Sequence, residues 1–338
     1  MNLIMSAVDY SMAGLHIREK ISLTNSMQID IYEKLRENPD ILGVVIVSTC
    51  NRTELYLSLV DGVVISPLEL LCEVIGVEYE SYKLIHKTRS GQEVLTHLCA
   101  LSCGIKSQIW GEDQIITQVK KSLNFARENK ATDSILEVLF RKAISAAKKI
   151  KTDVKLTLKD NSVALKSLNI IKNNHKDVKK ILVIGNGEVG RLVSETMIKN
   201  GYDVTITLRA YKYHTAIIPE GVGKIEYSKR YEALCQFDAV ISATLSPHLT
   251  VEKDKIDTRC PFPQVYIDLA VPRDIDYKIA EIENVRVYDI DSVGKEEKDE
   301  IHEKQVEEID VIIEKYVKEF NHWCAYRKQV QGKLECEA

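Results

Sequence analysis

No stretch of this 338-residue chain stays apolar for the roughly 18 residues that a membrane-crossing helix needs. Its amino terminus, M-N-L-I-M-S-A-V-D-Y, also lacks a basic segment leading into an apolar core, as a secretory signal would have. Both absences point to a soluble, cytoplasmic protein with no membrane partner. Proline and glycine are scarce, at 7 and 15 residues, and nowhere gather into a linker or a low-complexity tract. An excess of one charge is missing too. A formal net charge of -4 announces no broad nucleic-acid-binding surface, so an RNA partner would need a local basic patch. The eight cysteines, at 50, 72, 99, 103, 235, 260, 324 and 336, form no C-x-x-C pair and no framework spacing. That excludes a disulfide scaffold. Cys99 and Cys103 lie four apart without the histidine or cysteine pair that would complete a zinc set, so no metal is expected.

What is present suffices for two domains and an extension. Residues 1–156 read as an α+β unit. Gly43 to Ser48 is a β-branched run, and Glu54 to Leu59 alternates Leu55, Leu57 and Leu59 with Glu54, Tyr56 and Ser58, as a half-buried strand does. Cys50 to Arg52 therefore sit in a tight strand-to-strand connection. Helical spacing follows in Val94, Leu95, Leu98 and Leu101, then in Ile115, Ile116, Val119, Leu123 and Ala126, and then from about Ser134 to Ile150.

Residues 157–291 carry a different signature. Lys180 to Ile184 is a short apolar strand, followed by G-N-G-E-V-G at Gly185, Asn186, Gly187, Glu188, Val189 and Gly190, a helix, and a second strand at Asp203 to Leu208. A G-x-G-x-x-G that follows a strand, opens a helix and reaches a second strand within about 30 residues is a dinucleotide-binding fingerprint. The acidic residue that would bind an NAD ribose is replaced by Leu208 and Arg209, with Lys212 close behind, which favours the 2'-phosphate of NADP. Ala239 to Ser242 and Val265 to Leu269 continue the parallel βα pattern. Residues 292–338 form a long charged helix whose apolar stripe is Ile309, Ile312, Tyr316, Phe320 and Trp323. Such a helix braces two domains or meets a second subunit.

A cysteine beside a nicotinamide domain narrows the chemistry to two readings. Either Cys50 is a core thiol, or it captures an acyl group as a thioester that a hydride reduces to a thiohemiacetal and so to an aldehyde. A reactive thiolate needs a cationic neighbour, and Arg52 is the local candidate.

The stretch S-T-C-N-R-T-E-L-Y at Ser48 to Tyr56 resembles the signature of glutamyl-tRNA reductases. His97-Leu98, G-I-K-S-Q-I-W-G-E-D-Q-I-I-T-Q-V-K from Gly104, the glycine fingerprint and I-D-L-A-V-P-R-D-I-D from Ile267 match in the same order, over roughly residues 1 to 325. The resemblance implies NADPH-dependent reduction of glutamyl-tRNA to glutamate-1-semialdehyde, the first step of tetrapyrrole synthesis. It makes Cys50 the nucleophile, His97 a residue important for activity, and Thr49, Asn51 and Arg52 the surroundings of the glutamyl group. Arg52 would pair with the substrate carboxylate. Ser107, Glu112, Asp113, Gln114 and Gln118 fall where the family contacts substrate, and the next pathway enzyme, the aminomutase, is the implied recipient of the aldehyde.

Departures accompany the match. Val8 to Gly14 replaces an N-H-K-T-A-P-like stretch, Cys103 and Lys106 replace a serine and an aspartate, and Asp113 replaces a proline. The terminal helical bundle of the family is mostly absent, which implies a weak homodimer through the Ile309 to Trp323 stripe, or a monomer. Two alternatives stand beside this reading: a diverged relative acting on another acyl group or elsewhere in tetrapyrrole metabolism, and a non-catalytic regulatory paralogue. For tRNA, the candidate basic positions are Arg141, Lys142, Lys148, Lys149 and Lys151.

Overall fold

The computed structural model of the chain describes residues 2–154, 156, 162–213, 215–294 and 300–337. They fall into two compact units, Met1–Lys159 with Glu296–Ala338, and Asp160–Lys295.

In the first unit, β1 (Asn2–Asp9) is followed by α1 (Leu15–Arg18), α2 (Asn25–Arg36), β2 (Ile41–Thr49) and β3 (Arg52–Leu59). Then come α3 (Pro67–Ile75), β4 (Lys87–Ser90), α4 (Gln92–Ser102), α5 (Gln114–Glu128) and α6 (Ser134–Asp153). The four strands make one antiparallel sheet in the order β2-β3-β1-β4. Thr49 faces Arg52 across the β2–β3 ladder, leaving Cys50 and Asn51 as the hairpin tip. The β-branched run of β2 suits this sheet.

The half-buried reading of the second strand does not hold, because all eight residues of β3 are buried. Its polar face is covered by helices. Glu54 meets His97 of α4, and the Tyr56 ring meets Phe140 of α6 edge-on at 5.1 Å. Polar alternation normally marks a solvated face, but here Glu54 and Tyr56 find partners under cover, while the buried Ser58 hydroxyl has none.

A side-chain cap starts α6, with the Asp133 carboxylate accepting from Leu136 N at 2.9 Å. The second unit opens with α7 (Val163–Asn174), β5 (Lys180–Ile184), α8 (Glu188–Lys199), β6 (Asp203–Leu208), β7 (Gly223–Glu226) and α9 (Arg230–Ala233). It closes with β8 (Ala239–Ser242), β9 (Val265–Asp268), β10 (Arg286–Asp289) and α10 (Ile290–Gly294). Its six strands are all parallel, in the order β10-β9-β8-β5-β6-β7. The order reverses between β5 and β8, which is where open parallel sheets take a ligand.

The last helix, α11 (Glu300–Glu337), packs on α4 and α6 of the first unit. Its buried seam is Ile309, Ile313, Val317, Phe320 and Cys324, while Ile312, Tyr316 and Trp323 flank it half-buried. Of the stripe expected to face a second subunit, Ile309 and Phe320 are therefore covered within their own chain, and Ile312, Tyr316 and Trp323 only in part. A 3.6-residue period lets two adjacent columns look alike in sequence, and packing selects one.

Candidate active site

The β2–β3 hairpin holds Cys50 half-buried at its tip, between the half-buried Thr49 and Asn51. Local bonds set the turn: Thr49 Oγ1 accepts from Asn51 N at 3.2 Å, and Asn51 O accepts from Tyr10 N at 2.9 Å. The buried Arg18 of α1 reaches in from behind. Its Nη1 donates to Cys50 O at 2.5 Å and its Nε to Ala13 O at 3.0 Å. Sequence reasoning missed Arg18, because nothing local links it to a turn 32 residues away.

Arg52 is not the free fork expected. Its side chain is buried, with Nη1 donating to Glu54 Oε1 at 2.9 Å and forming an ion pair with Asp9 Oδ2 at 3.9 Å, and with Nη2 donating to Lys106 O. An unpaired guanidinium would be costly there, so it takes the carboxylate two residues along the same strand face. In this structure its guanidinium is held by Glu54, Asp9 and the Lys106 carbonyl at the floor of the site. It does not yield a ready thiolate. Burial pushes the Cys50 thiol up to about 12, the Glu112 carboxylate adds to the rise, and Arg18 and Arg52 oppose it without reversing it.

Glu54 is the hub beneath the turn, a residue of the S-T-C-N-R-T-E-L-Y stretch to which the sequence assigned no role. Its carboxylate accepts from Arg52, from the Tyr56 hydroxyl at 2.5 Å, and lies 3.0 to 3.1 Å from His97 Nε2. Burial alone would raise its pKa, but His97, Arg52 and the Tyr56 hydroxyl together hold it well below the usual carboxylate range. His97 is buried, its Nδ1 has no hydrogen-bond partner, and no hydrogen bond joins it to Cys50.

The loop between α4 and α5 completes the site. Gly104, at φ +94°, turns the chain so tightly that a Cβ there would lie 2.8 Å from Glu112 N. Ser107 and Gly111 N both donate to Gly104 O, at 3.1 and 3.2 Å. This closed loop presents Lys106 O to Arg52 and Ser107 O to the Tyr10 hydroxyl at 3.0 Å. The Ser107 hydroxyl is buried without a partner. Gln114 and Gln118 lie half-buried on α5, and Glu112 half-buried at the loop's end.

Asp113 does something else. It is exposed and receives Lys151 Nζ at 2.5 Å, while the same ammonium donates to Glu112 O at 3.0 Å. That clamp engages one basic residue considered for tRNA. Lys142 is engaged by Glu319 at 2.5 Å and Lys149 by Asp153 at 2.9 Å, while Arg141 and Lys148 are exposed. Cys103 is simply core. Among the described residues, no group of histidine, cysteine or acidic side chains is placed to hold a metal.

In the second unit, Gly185 has φ +109°, and Gly190 lies so close beneath it that a Cβ would sit 1.9 Å from Gly185 O. Gly187 precedes α8 with open space above it and no side-chain cap, leaving first-turn N–H groups for a pyrophosphate. Glu188 and Val189 are the first residues of that helix, and Asn186 Nδ2 donates to Ile217 O at 3.1 Å. Arg209 is exposed at the end of β6, where a ribose phosphate would lie; the Lys212 side chain is outside the described ones. These residues fit a dinucleotide.

A turn-borne cysteine in one unit and a dinucleotide crevice in the other define a cysteine-bearing, nicotinamide-dependent oxidoreductase. Residues 7–154 match the family "Glutamyl-tRNAGlu reductase, N-terminal domain", and residues 166–296 match "Shikimate / quinate 5-dehydrogenase". Glutamyl-tRNA reductase of Acetivibrio thermocellus is 52% identical over 98% of this chain and 99% of its own length. That of Alkaliphilus oremlandii is 46% identical over 97% and 98%. The chain belongs to the glutamyl-tRNA reductase family. The solved glutamyl-tRNA reductase of Methanopyrus kandleri, 23% identical, shares the fold with a TM-score of 0.53 over 97% of this chain and 82% of that one.

Proposed function

We propose that the protein reduces glutamyl-tRNA to glutamate-1-semialdehyde with NADPH, through a thioester on Cys50. The observation that carries the reading is Cys50 at the tip of a two-residue hairpin turn, above the Arg52–Glu54–His97 network. In that reading the thiol gives up its proton as its sulfur attacks the glutamyl ester carbonyl, and the tRNA 3'-oxygen leaves protonated. Because burial and Glu112 keep the resting thiol protonated, ionisation accompanies substrate binding rather than preceding it. Thr49, Asn51, Gln118 and the unpartnered Ser107 hydroxyl surround the glutamyl group, and His97, oriented by Glu54, serves the reacting carbonyl. The glycine turn at Gly185 to Gly190 and Arg209 hold NADPH. When bound, NADPH supplies the hydride that turns the acyl group into an aldehyde.

The reading extends to a cytoplasmic setting and to transfer of the reactive aldehyde to the aminomutase. It also takes the chain as a weak homodimer or a monomer, since α4 and α6 cover Ile309 and Phe320 of the α11 stripe but leave Ile312, Tyr316 and Trp323 half-buried. Sedimentation velocity, alone and with the aminomutase, tests the last two points. Labelled glutamyl-tRNA with NADPH should yield glutamate-1-semialdehyde. Without NADPH, labelled glutamate should accumulate on the protein. Cys50→Ser should abolish both, and unchanged turnover in that variant would overturn the mechanism.

A further inference from the structure

Two carboxylates at the C-terminal edge of the parallel sheet, Asp268 and Asp274, are buried and have no part in the chemistry above. Among the described residues neither is paired with a lysine or arginine; backbone and hydroxyl donors fill their oxygens instead. Asp268, the last residue of β9, accepts from Ala270 N at 3.0 Å and from Asp274 N and Ile275 N at 2.9 Å each. Those bonds fold the following turn back over the strand end.

Asp274, so placed, reaches across to β8. Its Oδ2 accepts from Ser242 Oγ at 2.7 Å and Thr244 N at 2.8 Å, and its Oδ1 from Thr244 Oγ1 at 2.6 Å. Its carbonyl accepts from Thr250 N at 2.6 Å and Val251 N at 3.0 Å. One residue thus ties down both ends of the segment after β8.

That segment abuts the glycine turn. Ala243 N donates to Ile184 O at 2.9 Å, and a Cβ built on Gly185 would meet Ala243 O at 2.5 Å and Thr244 Cγ2 at 3.0 Å. The ends of β5 and β8 flank the point where the strand order reverses. We infer that Asp274 is a positioning residue for the dinucleotide: it holds Ala243 and Thr244 against the glycine turn and so sets one wall of the crevice that receives NADPH. The inference rests on the reading of this unit as the NADPH site. A carboxylate accepts from all three donors; an amide in its place would accept two of them on its oxygen and turn N–H toward Thr244 Oγ1, reversing that bond and removing the charge that strengthens all three.

The test is a fluorescence titration of NADPH onto the full chain. Asp274→Asn should weaken binding by about tenfold, the loss expected for a buried bond to a charged group. Thr244→Val should weaken it in the same direction, and Thr244→Ser, which keeps the hydroxyl, should restore it. In turnover the KM for NADPH should rise by more than kcat falls, while acylation of Cys50 by glutamyl-tRNA, a half-reaction needing no NADPH, keeps its wild-type rate. Folded Asp274→Asn and Thr244→Val proteins that bind NADPH as the wild type does would overturn the inference. Should Asp274→Asn not fold, the contrast between Thr244→Val and Thr244→Ser decides it. A wild-type protein that fails to bind NADPH would overturn the cofactor reading and the inference together.

Discussion

Glu54 has no access to water, yet its environment favours the ionised form. Its folded pKa lies below the unfolded value of about 4.3, so its contribution to stability is complete above that value and is lost as pH falls toward the folded one. Glu54→Gln should cost about 3 kcal/mol at neutral pH, the penalty for stripping a partner from a buried ion pair. It should also flatten the acid limb of the stability profile. Both tryptophans, Trp110 and Trp323, lie in the first unit, so urea unfolding followed by their fluorescence reads that unit. An acid limb identical to that of the wild type would mean that Glu54 is not paired as described. Cys50 offers the opposite sign. Its thiol is pushed up to about 12 by burial and then by Glu112, so its alkylation rate should climb with pH well above neutrality. Glu112→Gln should speed alkylation at a fixed alkaline pH; the same rate in both proteins would remove Glu112 from the thiol's surroundings.

At the scale of elements, the glycine turn and α8 act as one piece, because Gly190 lies directly beneath Gly185. A methyl group placed 1.9 Å from Gly185 O meets backbone rather than a side chain that could swing aside. Gly190→Ala should therefore displace the first turn of α8 and abolish NADPH binding, while glutamyl transfer to Cys50 in the other unit persists. Equilibrium titration beside single-turnover acylation separates the two effects. The hairpin shows how local rules reach only so far. Its two strands, the position of Cys50 and the fingerprint strand β5 were legible from β-branched runs and glycine spacing. Burial of the Glu54–Tyr56 face was not, since alternation describes a strand without naming what covers it. The short strands β7 and β10 were missed, being four residues each with charged members and no apolar run.

For the whole molecule, α11 joins the first unit through contacts with partners as far off in sequence as 177 residues on α6 and 229 on α4. Phe320, buried in that seam, is its most voluminous anchor. Phe320→Ala should destabilise the first unit by about 3–5 kcal/mol by leaving a cavity, with the NADPH affinity of the second unit unchanged. A loss below about 1 kcal/mol would mean that the helix is not docked as described. The Lys142–Glu319 contact between α6 and α11 is solvent-exposed and should contribute little, at most about 1 kcal/mol.

Periodicity and composition by themselves determined the two classes of unit, the place of the nucleotide crevice and the turn that carries Cys50, because those features follow from spacings of two, three or four residues along one segment. Tertiary structure decided partner choice. That Arg52 meets the Lys106 carbonyl, that Arg18 supports the turn, which column of α11 is the seam, and that Asp274 ties β8 to the glycine turn all depend on groups far apart in sequence. Each buried charge or hydroxyl takes whichever partner the packing brings within reach. Cys50 was legible from its motif; its reluctance to ionise came from the burial and the carboxylate that the fold placed beside it.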